Sequence, residues 1–133
     1  VPSQDTSAAE PRAIVAGHAA FAEGLISAVE QIAGAGAAFI PLSNSGLSAE
    51  DIELRFREAA GDRIKVFFTD LPGGSATLAV RRLMRGDSSM ILVTGANLAT
   101  LLEFVFRSGQ DPADAARTAA EKGRAALVSV GGA

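Results

Sequence analysis

With 133 residues, 48% of them hydrophobic and 20% charged, the chain has the composition of one globular domain able to bury a core. A net charge of −3 offers nothing to a nucleic-acid backbone, and the absence of cysteine excludes disulfides, thiolate nucleophiles and cysteine metal sites. One histidine excludes a histidine-rich metal cluster within a chain, and no apolar run approaches the ~20 residues of a membrane span, so a cytoplasmic protein without membrane insertion is expected.

Residues 1–11 lack the apolar stretch of a secretory signal and read as a flexible polar tail before a single domain over 12–133. Arg12–Gly17 is a short apolar run ended by glycine, which suits a strand covered on both faces. Phe21, Leu25, Val29 and Ile32 follow at helical spacing, and Gly34-Ala35-Gly36 closes that helix. Ala37–Leu42 fits a second strand, and Ser43-Asn44-Ser45-Gly46 reads as a turn. Ser48 and Asp51 form a weak capping box before a helix ending near Ala60.

Ile64–Thr69 is the clearest strand, and it runs into Asp70-Leu71-Pro72-Gly73-Gly74. Ala76, Ala79, Val80 and Leu83 mark the next helix, and Ser89–Thr94 a fourth strand. Asn97 is positioned to cap a helix buried through Leu98, Leu101, Leu102 and Val105. Asp111-Pro112 opens a last helix that should stop near Gly123, leaving Ala126–Val130 as a fifth strand-like run. Strands alternating with helices in this way predict an α/β three-layer sandwich. Its central sheet should be mostly parallel, with four parallel strands plus a carboxy-terminal edge strand.

Ligands of such sheets meet the loops at the carboxyl ends of the strands. His18, Asp70 and Asn97 all fall on loops of that kind. A lone histidine at a strand end is more often a satisfied structural residue than a reactive one. Here the small neighbours Gly17, Ala19 and Ala20 leave room for a partner. Imidazole is also a competent nucleophile near its ordinary pKa of ~6.5. Asp70 is either a turn residue or the acceptor that orients the His18 ring. Pro72-Gly73-Gly74-Ser75 is either a plain turn with Ser75 capping a helix, or a cradle whose free amides and hydroxyl hold an anion. A Ser75–His18–Asp70 hydrolase triad is disfavoured by the missing G-x-S-x-G elbow. Met84 and Met90 read as packing residues, and Arg81, Arg82 and Arg85 as a solvated helix face.

Three segments carry a family resemblance: Ala13–Gly34 (AIVAGHAAFAEGLISAVEQIAG), Phe68–Ser75 (FTDLPGGS) and Val93–Glu103 (VTGANLATLLE). In that order and spacing, the chain resembles the mannose-type enzyme IIA components of the phosphoenolpyruvate-dependent sugar phosphotransferase system. The resemblance implies that His18 accepts a phosphoryl group from the phosphocarrier HPr through Nε2 and passes it to an enzyme IIB component for sugar uptake. Asp70 would support the other ring nitrogen, and Leu71, Gly73, Gly74 and Ser75 would bind the phosphoryl group, with no metal or other cofactor. It also implies a homodimer in which the carboxy-terminal strand pairs with the partner's sheet. Ala19, Ala76 and Ala99 depart from the glycine, proline and proline common in the family. Leu71-Pro72 replaces an aromatic residue found in some members. A regulatory enzyme IIA, a subunit serving dihydroxyacetone kinase, and a non-catalytic binding module are the alternatives.

Overall fold

A computed structural model describes residues 10–133 of the chain, so the first nine residues of the expected tail lie outside the described residues. Four strands form one sheet: β1 (Ala13–Gly17), β2 (Phe39–Ser43), β3 (Val66–Thr69) and β4 (Ile91–Val93). Between and after them run α1 (Phe21–Ala33), α2 (Ala49–Ala60), α3 (Ser75–Met84), α4 (Leu98–Phe106) and α5 (Pro112–Ala125), with a short 3₁₀ turn at Gly36–Ala38. All pairings are parallel, in the order β2-β1-β3-β4. That is the order of a flavodoxin-like sheet short of its last strand.

The alternation of side chains along each strand builds two cores. Ala13 and Val15 of β1 share one face with Val66 and Phe68 of β3, packed under α1, α4 and α5 through Val29, Leu101, Phe104 and Ala115. Ile14 and Ala16 share the other face with Phe67, packed under α2 and α3 through Ile52, Phe56, Val80 and Leu83. The central strands β1 and β3 are therefore buried at every position. The expected three layers form, and α2, α4 and α5 begin at the expected caps Ser48, Asn97 and Asp111. The Ser48 side chain accepts from the Asp51 amide at 3.1 Å, and the Asp111 side chain from the Asp114 amide at 3.3 Å.

Several expectations change. Ile32, assigned to the buried stripe of α1, is 59% exposed, and Ile26 packs against the core instead. The fourth strand shortens to Ile91–Val93, because Ser88 and Ser89 stay in a turn anchored by Asp87, whose side chain accepts from the Ser89 amide at 2.9 Å. The fifth strand is not part of the chain's own sheet. Helix α5 runs to Ala125 because Gly123 sits on its buried face rather than ending it. The residues beyond expose Leu127, Val128 and Val130 at 82%, 72% and 90%. No helix among the described residues is long and apolar enough to cross a membrane.

Phe68 joins the layers on the α1/α4/α5 side. Its ring meets Phe104 edge-on at 5.2 Å between centroids and Phe39 at 6.1 Å. Replacing this fully buried ring should therefore be costly: Phe68→Ala is expected to lose about 3–5 kcal/mol in urea unfolding, and Phe68→Leu clearly less.

Candidate functional site

The strand order reverses between β1 and β3: β2 lies on one side of β1, and β3 and β4 on the other. The carboxyl ends of β1 and β3 thus flank the crevice where such sheets take ligands. His18 is the first residue after β1 and Asp70 the first after β3. Pairing of Ala16 with Thr69 leaves Gly17 beside Asp70. A Cβ on Gly17 would sit 2.7 Å from the Asp70 carboxylate, so only glycine lets the acid come in.

One carboxylate oxygen of Asp70 serves His18 twice. Oδ2 accepts from the His18 backbone N–H at 2.9 Å and lies 2.7 Å from ring Nδ1. Partial burial pushes the Asp70 carboxyl up. The hydrogen bonds from the His18 ring and amide and the ring's charge outweigh it, leaving the group below its ordinary value. An ionised carboxylate at this distance draws the proton of a neutral imidazole to Nδ1 and leaves the lone pair on Nε2. The Asp70 side chain is only 11% exposed, whereas that of His18 is 57% exposed, so the acid is sheltered and the ring open to a partner.

The other wall is the start of α3. Gly74 passes under the ring: a Cβ there would stand 3.5 Å from His18 Cε1 and 3.7 Å from Asp70 Oδ1. Gly74 is the N-cap of α3 and Ser75 its first residue, so the Ser75 hydroxyl does not cap the helix as a plain turn would have it. The first amides of α3 have no acceptor within the helix and carry its partial positive charge. The Ser75 Oγ partner is Asn44 Nδ2 at 2.8 Å, not His18, which removes the hydrolase-triad geometry.

Two buried threonines hold the Asp70–Ser75 loop in shape. Thr77 Oγ1 donates to the Leu71 carbonyl, so Thr69 is the donor in the 2.6 Å contact between the Thr69 and Thr77 hydroxyls. Both side chains are fully buried, while Leu71 itself is 52% exposed at the rim. Ala19, next to His18, adopts φ +48°, a left-handed conformation that costs an L-residue with a Cβ about 1–2 kcal/mol.

His18, Asp70, Gly74 and Ser75 therefore gather at one crevice, with Leu71 and Gly73 on the exposed outer part of the same loop. Asn97 does not join them as a free group. Its Oδ1 accepts from the Thr100 amide at 2.9 Å, and its Nδ2 donates to the Gly123 carbonyl at 3.0 Å, so it caps α4 and ties it to α5. Met84 and Met90 pack against the core under α2 and α3, and Arg81, Arg82 and Arg85 are exposed, as expected. Residue-by-residue reading missed Asn44, Thr69 and Thr77. Asn44 lies in a stretch whose composition signals only a turn, and the threonines look like ordinary strand and helix residues.

Fold and crevice together define an open, doubly wound α/β domain that presents an exposed histidine, backed by a carboxylate, at its switch point. Residues 12–121 match the family model EIIA-man, described as the PTS system fructose IIA component, and the chain belongs to that family. The fold is that of solved enzyme IIA structures. The phosphotransferase system component EIIA of Streptococcus agalactiae superimposes with a TM-score of 0.76 at 23% identity, over 89% of this chain and 95% of that one. The mannose/sorbose-specific IIA subunit of Enterococcus faecalis gives 0.76 at 19% identity, over 92% and 96%. The PTS IIA protein associated with the fucose utilization operon of Streptococcus pneumoniae gives 0.73 at 20% identity, over 90% and 93%. No curated protein matches the chain significantly.

Two outcomes follow from the site geometry. Ala19→Gly relieves the positive φ and should raise the unfolding free energy by up to about 1 kcal/mol, once the greater freedom of unfolded glycine is subtracted. The Asp70 carboxyl is lowered from 3.8, so its stabilisation is complete above that value and disappears as pH falls through the lower value of the folded state. Urea midpoints should therefore fall more steeply below about pH 4 in the wild type than in Asp70→Asn, which has no carboxylate to protonate there.

Proposed function

We propose that this enzyme IIA component is a phosphoryl carrier that takes a phosphoryl group from the phosphocarrier HPr onto His18 Nε2 and gives it to an enzyme IIB component for sugar uptake. The observation that carries this reading is the 2.7 Å approach of Asp70 Oδ2 to His18 Nδ1, which leaves Nε2 as the open ring nitrogen. In the transfer, the P–N bond of the donor phosphohistidine breaks as a P–N bond forms at Nε2. The His18 ring keeps its Nδ1 proton and gains positive charge, which the Asp70 carboxylate offsets. The amides of Leu71, Gly73 and Gly74, the first turn of α3 and the Ser75 hydroxyl hold the phosphoryl oxygens. Positioning and charge stabilisation of this kind are the main requirements of phosphoryl transfer. Membership of the family and the likeness to solved enzyme IIA folds support the same assignment.

The working unit is a homodimer in this reading. Among the described residues the outer edge of β4 has no neighbouring strand, and the segment after α5 carries Leu127, Val128 and Val130 exposed. Pairing that segment with a partner's β4 would complete the sheet order and cover these side chains.

Phosphoenolpyruvate carrying labelled phosphate, with enzyme I and HPr, should label the protein with an acid-labile, alkali-stable group, and His18→Ala should abolish the label. Persistent label in that variant would sink the proposal, and supplying enzyme IIB or a dihydroxyacetone kinase subunit as acceptor separates the two transfer routes. Light scattering tests the dimer: deleting residues 127–133 should halve the mass, and an unchanged mass rejects pairing through the tail.

A further inference from the structure

The loop after β2 contributes a side chain to the phosphoryl site that no motif of the chain announces. The Asn44 backbone N–H donates to the Gly17 carbonyl at 3.0 Å, immediately before His18. Its side-chain Nδ2 donates to Ser75 Oγ at 2.8 Å, across the crevice on the first residue of α3. One half-buried residue thus ties the strand that carries the histidine to the helix start that carries the serine.

The direction of the second bond decides what Ser75 can do. A serine hydroxyl has one hydrogen and two lone pairs. An amide N–H arriving at Oγ occupies a lone pair and turns the hydroxyl hydrogen away from Asn44. Nothing among the described residues accepts that hydrogen, and the helix-start amides beside it also donate. We infer that Asn44 is a positioning residue for phosphoryl transfer: it holds the Ser75 hydroxyl as a fixed donor toward the phosphoryl oxygens of His18. This rests on the proposed function above. Asn44 does not touch the phosphoryl group in this arrangement and acts through Ser75. A preorganised donor of this kind is worth more than a freely rotating hydroxyl, because its orientation is set before the charge arrives.

The discriminating substitution is Asn44→Asp, nearly isosteric but reversed in hydrogen-bonding sense. A carboxylate would accept the Ser75 hydrogen, removing it from the phosphoryl site, and would add a negative charge beside an anion. Phosphorylation of His18 by phospho-HPr, measured by rapid quench, should slow roughly tenfold in Asn44→Ala and about a hundredfold or more in Asn44→Asp. In a Ser75→Ala background, Asn44→Ala should cause no further slowing, since the residue it acts through is gone. Thermal unfolding of each variant, measured alongside, reports folding independently of rate.

An Asn44→Asp variant that transfers at the wild-type rate would overturn the inference, because it would mean that the amide oxygen, not the amide N–H, faces Ser75. Equal slowing by Asn44→Ala with and without Ser75 would also overturn it, leaving only a structural role for the loop. A wild-type protein that takes no label on His18 brings down the proposed function and this inference together. Normal wild-type labelling with unaffected Asn44 variants rejects this inference alone.

Discussion

The site depends on the parallel register between β1 and β3. Ala16 stands beside Thr69, so the next residues out of the sheet, Gly17 and Asp70, meet at the strand ends, and His18 follows within reach of the acid. Everything else at the crevice acts on this juxtaposition. The two strands are fully buried between helical layers, which leaves little freedom to slip. A slip of one residue would exchange the two cores, placing Phe67 where Phe68 packs and moving Asp70 off the histidine.

Around that contact the chain uses backbone shape more than side-chain chemistry. Gly17 makes room for the carboxylate, Gly74 lets the start of α3 lie against the ring, and Thr69 with Thr77 fixes the Leu71 carbonyl and hence the path of the loop. The result separates a sheltered acid from an exposed base. Asp70 is deep enough to stay paired, while His18 opens outward to solvent. Ala19 in a left-handed conformation beside it is a local strain carried by the rest of the fold.

Much of this was legible in the sequence, for identifiable reasons. Strands buried on both faces read as continuous apolar runs, and Ser48, Asn97 and Asp111-Pro112 announce helices through local hydrogen bonding that needs no tertiary information. His18 and Asp70 were legible because strand-end loops of a parallel sheet converge whatever their sequence separation. Asn97 met the same criterion but turned out to be consumed by Thr100 and Gly123, a fact that lies in the packing of α4 on α5. Gly123 has the local form of a helix stop, yet α5 continues past it because its missing side chain serves the close contact with Thr100. Asn44 was illegible for a related reason. Its partner Ser75 lies 31 positions away, and nothing local distinguishes an asparagine that bridges two loops from one that makes a turn.

The most direct test of the central claim uses the single histidine. In protein labelled with ¹⁵N at the His18 ring, long-range proton–nitrogen spectra before and after phosphorylation by phospho-HPr report both ring nitrogens without overlap. The expected result is phosphorus coupling at Nε2, with the proton retained on Nδ1 against Asp70. A phosphoryl group on Nδ1, or a ring unchanged under conditions that fully phosphorylate HPr, would contradict the assignment of Asp70 and His18 as the transfer pair.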